Sequence, residues 1–206
     1  MRYAAGAMDL LMVGANVACW GAVVVVWIAA AVRERGTRSA MRVRGSIEPG
    51  MVVLAVVAIA AIVLVGRSIL SPFTVDAPWA RLIGAGVLVG STLFAIWARL
   101  ALGSSWSVDP EAATDRGLRS DGPYAITRHP IYTGLLGMLL GSALLGGLGQ
   151  AIVLVPAGLV IAGLKIRAEE RLLLATFPDS YEAYRQHVPA LIPGWRSPSA
   201  QRLRPR

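Results

Sequence analysis

Chemically versatile side chains gather in one stretch of this 206-residue chain, Gly122-Pro123-Tyr124-Ala125-Ile126-Thr127-Arg128-His129-Pro130-Ile131-Tyr132-Thr133-Gly134. It holds one of the two histidines, an arginine, two tyrosines and two prolines. Pro130 suits the first turn of a helix. Arg128 and His129 then fall at a helix N-terminus, where backbone N–H groups favour a carboxylate or phosphate. A plainer role, a basic helix start touching lipid phosphate, uses the same residues. A second polar cluster, Glu169-Glu170-Arg171, follows thirty-five residues beyond Gly134. Neighbouring residues on a helix do not share a face, which argues against a paired-carboxylate dyad. The expectation is that one glutamate pairs with Arg167 or Arg171. The other would face a pocket, where it accepts hydrogen bonds from an amine or from ribose hydroxyls. A solvated helix end is the commoner fate of such a run.

Gly134, Gly137 and Gly141 share one helix face. That face suits close helix packing, or the approach of a flat ligand to bare backbone. Cys19 is the only cysteine and His129 and His187 the only histidines, so disulfides within the chain and multi-histidine metal sites are excluded.

These clusters must be held by membrane helices. Hydrophobic residues make up 55% of the chain and charged residues 16%, against about a quarter charged in soluble domains. Mean hydropathy is +0.60. The net charge of +8 is almost all arginine, with Lys165 the only lysine. The arginines flank apolar blocks, which indicates anionic lipid and topology setting and no nucleic acid. The Arg-over-Lys bias and the richness in Ala, Val and Gly suggest a GC-rich bacterial genome and a bacterial inner or plasma membrane.

A helix needs roughly 20 apolar residues to span the hydrocarbon core. The sequence predicts an all-α polytopic membrane protein with about five spans, at about 8–32, 50–69, 79–102, 131–148 and 151–166. The last two form a helical hairpin (131–166), with a possible kink at Pro156. Residues 33–49 read as a basic loop within an N-terminal unit (1–101). Residues 102–195 read as a catalytic unit and 196–206 as a basic disordered tail. Tyr181, Tyr184 and Val188 fall at helical spacing, giving a short amphipathic cytoplasmic helix at the interface. The arginine distribution puts both polar clusters in the cytoplasm.

Several motifs in order resemble the isoprenylcysteine carboxyl methyltransferase family and related phospholipid and thiol methyltransferases. They are Leu102-Gly103-Ser104-Ser105-Trp106-Ser107, Gly122-Pro123-Tyr124, Arg128-His129-Pro130-Ile131-Tyr132-Thr133-Gly134, Glu169-Glu170-Arg171-Leu172-Leu173, Phe177, Tyr181, Tyr184 and Val188-Pro189. The resemblance covers about 102–193. It implies S-adenosylmethionine as methyl donor. By the matching motif, His129, Tyr132 and Gly134, with Tyr124 and Pro130, line the cofactor site from one side. Glu169, Glu170, Tyr181 and Tyr184 close it from the other. Arg128, Glu170 and Arg185 are the implied catalytic set, the arginines holding an anionic group of the substrate. The implied acceptor is a membrane lipid or a lipidated or amphipathic small molecule, with an isoprenylcysteine-like carboxylate favoured over an amine or a thiol. Monomer and dimer both stay open.

Two other readings compete. A steroid-reductase-type membrane enzyme has a similar C-terminal region but uses NADPH. A small transporter would place ionisable groups near mid-membrane, where these spans have almost none. No strand-GxGxxG-helix unit is visible, so a soluble dinucleotide-type methyltransferase fits poorly.

Overall fold

The computed structural model describes residues 2–35, 77–103, 118–146 and 148–192. The regular structure among the described residues is all helix, with no strand. In chain order the helices are α1 (Arg2–Arg35), α2 (Pro78–Leu102), α3 (Pro123–Ile126), α4 (Pro130–Leu145), α5 (Leu148–Thr176) and α6 (Pro178–His187). Proline occupies the first turn of α2, α3, α4 and α6, where its missing N–H costs nothing and its fixed φ matches the helix. Gly103 ends α2 at φ 52° and Gly122 precedes α3 at φ 56°, a region open chiefly to glycine.

Among the described residues two segments are long and apolar enough to cross a membrane, Leu10–Ala30 and Pro78–Leu102, while Pro130–Leu145 is apolar but shorter. The expected span at 50–69, most of the loop at 33–49 and the tail at 196–206 lie outside the described residues. Helices α4 and α5 cover the two apolar stretches expected to form the hairpin and pack against each other at Gly158. Pro156 sits inside α5 without ending it, and α5 runs on past the apolar stretch to carry Glu169 and Glu170.

The closest seam joins α2 to α4, and it is built of small residues. A Cβ on Gly134 would lie 2.6 Å from Cβ of Ala95 and 2.9 Å from its Cα. One on Gly141 would lie 2.5 Å from the Leu88 nitrogen, and one on Gly84 would lie 2.8 Å from Leu144 Cβ. Backbones this close gain dispersion contacts that lipid tails cannot replace. The choice left open by the glycine spacing is therefore settled at Gly134: helix α2 fills that face. On its Cβ side Gly134 is a packing residue against Ala95.

Helix α1 lies over this pair. Trp20 and Val23 join Leu88, Ala95, Met138 and Leu145 in the buried cluster. Trp20 Nε1 donates to Ser142 Oγ at 3.0 Å, and that hydroxyl donates to Asn16 Oδ1 at 3.0 Å. Outward, α1 and α2 expose Leu10, Leu11, Val25, Leu82, Leu93 and Leu100, an apolar jacket suited to lipid. On the other side Gly158 of α5 packs against Leu139 and Leu136 of α4.

Helix α6 is amphipathic, but its aromatic face turns inward. Tyr181 is buried and the Tyr184 hydroxyl donates to the Tyr124 carbonyl. The expected use of that face at the membrane surface gives way to contacts within the protein.

Gly134→Ala should force α2 and α4 apart and cost about 1–3 kcal/mol, lowering the thermal midpoint in detergent. Gly90→Ala, with nothing within 4 Å of the new carbon, should leave it unchanged or raise it. Equal midpoints for the two variants would contradict the seam.

Candidate functional site

The polar residues converge where α3, the start of α4, the charged end of α5 and α6 meet. His129 occupies the position before α4, with φ −123° and ψ 62°. Its ring is nearly enclosed, with 3% of the side chain exposed. One nitrogen, Nε2, lies 3.3 Å from Glu170 Oε1 and the other, Nδ1, lies 3.7 Å from Glu169 Oε2. Both glutamates thus reach one imidazole from opposite sides. Although adjacent in sequence, they share this partner.

Arg128 is the hub. Its Nε and Nη2 donate to Glu170 Oε1 at 3.1 and 2.8 Å. Its Nη1 donates to the carbonyls of Arg185 and Val188 at 2.9 and 2.7 Å. A guanidinium has five N–H groups, and these four bonds leave a single one. The structure therefore gives Arg128 a clamping role, in place of the expected hold on an anionic substrate group. It also replaces the expected local pairing of a glutamate with Arg167 or Arg171, both of which are exposed. Arg185 contributes its carbonyl to the clamp, while its guanidinium pairs with Glu182 at 3.0 Å on its own helix.

The two carboxyls differ as a result. Burial opposes ionisation of Glu170, but hydrogen bonding and charge from His129 and Arg128 outweigh it and bring the carboxyl down to about 2. Burial raises the pKa of Glu169, and the Glu170 charge adds to that, against His129 and the nearby Tyr132 hydroxyl. Because 48% of the Glu169 side chain is exposed, water moderates the rise. Glu170 is thus ionised, with Oε1 engaged by Arg128 and His129, while Glu169 is the more exposed of the two carboxyls.

Four tyrosines surround this pair. The Tyr132 ring lies 6.0 Å from that of His129, and Tyr181 lies 6.0 Å from Tyr184. Burial pushes the phenols of Tyr124, Tyr181 and Tyr184 upward, with Glu169 adding at Tyr124 and Glu170 at Tyr181. They stay protonated as donors. The Tyr181 hydroxyl is buried with no hydrogen bond of good geometry, yet it lies close enough to Glu170 to interact with that carboxylate both by charge and as a donor. Pro130 is buried at the start of α4.

Sequence reading missed Thr127, Thr133 and the carbonyls of residues 188–191. Thr133 Oγ1 donates to the Leu191 carbonyl at 2.8 Å and lies 3.4 Å from Thr127 Oγ1. No residue type announces such a role, because the partners are main-chain atoms almost sixty positions away. Among the described residues no His/Cys/Asp/Glu group could hold a metal ion.

The fold and these residues have relatives. The phospholipid methyltransferase family profile matches residues 79–180, which takes in α2 as well as the motif region. Protein-S-isoprenylcysteine O-methyltransferase of Schizosaccharomyces pombe is 38% identical over 101 residues, 47% of this chain and 42% of that protein. Cobalt-zinc-cadmium resistance protein CzcN of Cupriavidus metallidurans is 38% identical over 77 residues, 37% of this chain and 35% of that one. Each match spans less than half the relative's length. The solved structure of the eukaryotic intramembrane Ras methyltransferase, an isoprenylcysteine carboxyl methyltransferase, aligns with TM-score 0.54 and 22% identity over 87% of this chain and 68% of that one. Residues 79–180 are thus similar to the phospholipid methyltransferase family, and the fold is like that of the solved isoprenylcysteine carboxyl methyltransferase.

Glu170 has an ordinary pKa of 4.5 and a folded value of about 2. Its contribution to stability is therefore present above about pH 4.5 and is lost as pH falls toward about 2. Glu170→Gln should lower the thermal midpoint at neutral pH, by an amount corresponding to roughly 2 kcal/mol, and remove that part of the acid dependence. Thermal melts across pH check both; wild-type acid sensitivity surviving in the variant would show that the pair does not carry it.

Proposed function

We propose that the chain is an integral-membrane S-adenosylmethionine-dependent methyltransferase. Its acceptor is a lipidic or small amphipathic molecule, with O-methylation of an isoprenylcysteine-type carboxylate favoured. The site faces the cytoplasm of a bacterial inner or plasma membrane. The observation that carries this reading is the enclosed His129 between Glu169 and Glu170, with Arg128 locking one carboxylate and leaving the other open.

The residues fit the cofactor. The open Glu169 carboxylate, beside His129 and the Tyr132 ring, suits a positively charged ligand. The buried Tyr181 hydroxyl beside Glu170 adds a donor to the pocket wall. When bound, S-adenosylmethionine supplies a sulfonium methyl, whose bond pair stays on sulfur as the acceptor oxygen forms the new bond. The protein's part is alignment and exclusion of water. Glu170 is held ionised by His129 and Arg128, its carboxyl drawn down to about 2, and so is a poor base. This favours an acceptor that arrives already anionic, such as a carboxylate or thiolate. An amine acceptor is the second reading. It would need a base, and the open Glu169 supports that role, as does the phospholipid methyltransferase match.

Titration calorimetry on detergent-purified protein should detect S-adenosylmethionine and not NADPH. Glu169→Ala should weaken that binding by about tenfold, the worth of a charge-assisted hydrogen bond. Binding of NADPH alone would move the chain to the reductase reading. Methyl-transfer assays with prenylated cysteine and with phosphatidylethanolamine then separate carboxylate from amine.

A further inference from the structure

Four consecutive carbonyls after α6 all accept hydrogen bonds from the histidine motif. Val188 accepts from Arg128 Nη1 at 2.7 Å. Pro189 accepts from the Arg128 backbone N–H at 2.8 Å, and Ala190 from the His129 backbone N–H at 3.1 Å. Leu191 accepts from Thr133 Oγ1 at 2.8 Å. We propose that Val188–Leu191 is a strap that positions His129, and that Thr133 is the side chain setting its register. The part of this concerning affinity rests on the cofactor reading above.

The geometry singles out Thr133. Backbone donors at 128 and 129 are chemically alike and would accept a strap shifted along its length. Arg128 is shared with Glu170 and Arg185. The Thr133 hydroxyl ties one position of the strap to one position on α4. A threonine in the first turn of a helix ordinarily bonds back to its own helix. Here the carbonyl of His129 is the longer contact, at 3.2 Å, and Leu191 is the shorter. Thr127, fully buried, stands behind the same hydroxyl. With the register fixed, the His129 N–H is held from the strap side and its ring is directed between the two glutamates. Thr133 is a positioning residue, acting through His129.

Hydrogen exchange on the full-length protein in detergent reads the strap directly, at the amides of Arg128 and His129. In Thr133→Val, which removes the hydroxyl, exchange at both should accelerate about fivefold to tenfold, the equivalent of one lost hydrogen bond. S-adenosylmethionine affinity should fall by a similar factor. Thr133→Ser should restore both. By linkage, saturating S-adenosylmethionine should slow the same two amides in wild type. Unchanged exchange in Thr133→Val, or a serine variant that behaves like valine, overturns the strap. Faster exchange with unchanged affinity overturns the positioning of His129. If wild type binds no S-adenosylmethionine, the cofactor reading fails while the exchange comparison still decides the register. Should Thr133→Val not fold, Thr133→Ala is measured in the same way.

Discussion

The structure around the site depends on one buried cation. Arg128 has 9% of its side chain exposed, and a guanidinium cannot shed its proton to escape that burial. It must be met by acceptors on every side. Glu170 supplies the counter-charge and two carbonyls supply the rest. Those acceptors come from α5, from α6 and from the segment after α6, so satisfying one side chain fixes three pieces of chain relative to α4. A lysine could not do this, having no planar fork to span a carboxylate and two carbonyls.

The apolar part of the molecule solves a different problem. Between membrane helices the hydrophobic effect offers little, since lipid is as apolar as a side chain. Contact area and a few polar links must serve instead. The Gly84, Gly134 and Gly141 seam brings α2 against α4. The Trp20–Ser142–Asn16 chain adds α1. The start of α4 is thereby held on a stiff base, and the histidine motif inherits that stiffness.

Much of this was legible in the residues. Proline starts, the two polar clusters and the apolar runs of α4 and α5 follow from residue type and spacing. Two features were not. Glycine spacing shows a bare helix face but not what covers it, and at Gly134 the cover on the Cβ side is Ala95. Local charge spacing offered Arg167 and Arg171 to the glutamates, yet the partner of Glu170 lies 42 positions upstream. That choice depends on how α5 is rotated against α4, which packing at Gly158 and Leu139 decides and no local pattern records.

The clamp also has a consequence in time. A nascent chain presents Arg128 long before its acceptors, since Glu170 follows 42 residues later and the Val188 carbonyl 60 residues later. At translation speeds of about 5–20 residues per second, that is a wait of roughly 3–12 s. Throughout it, the membrane helices can insert and α2 can zip onto α4, while the guanidinium still needs water or lipid phosphate for company. The order of synthesis thus lets α2 meet α4 before the polar pocket can close.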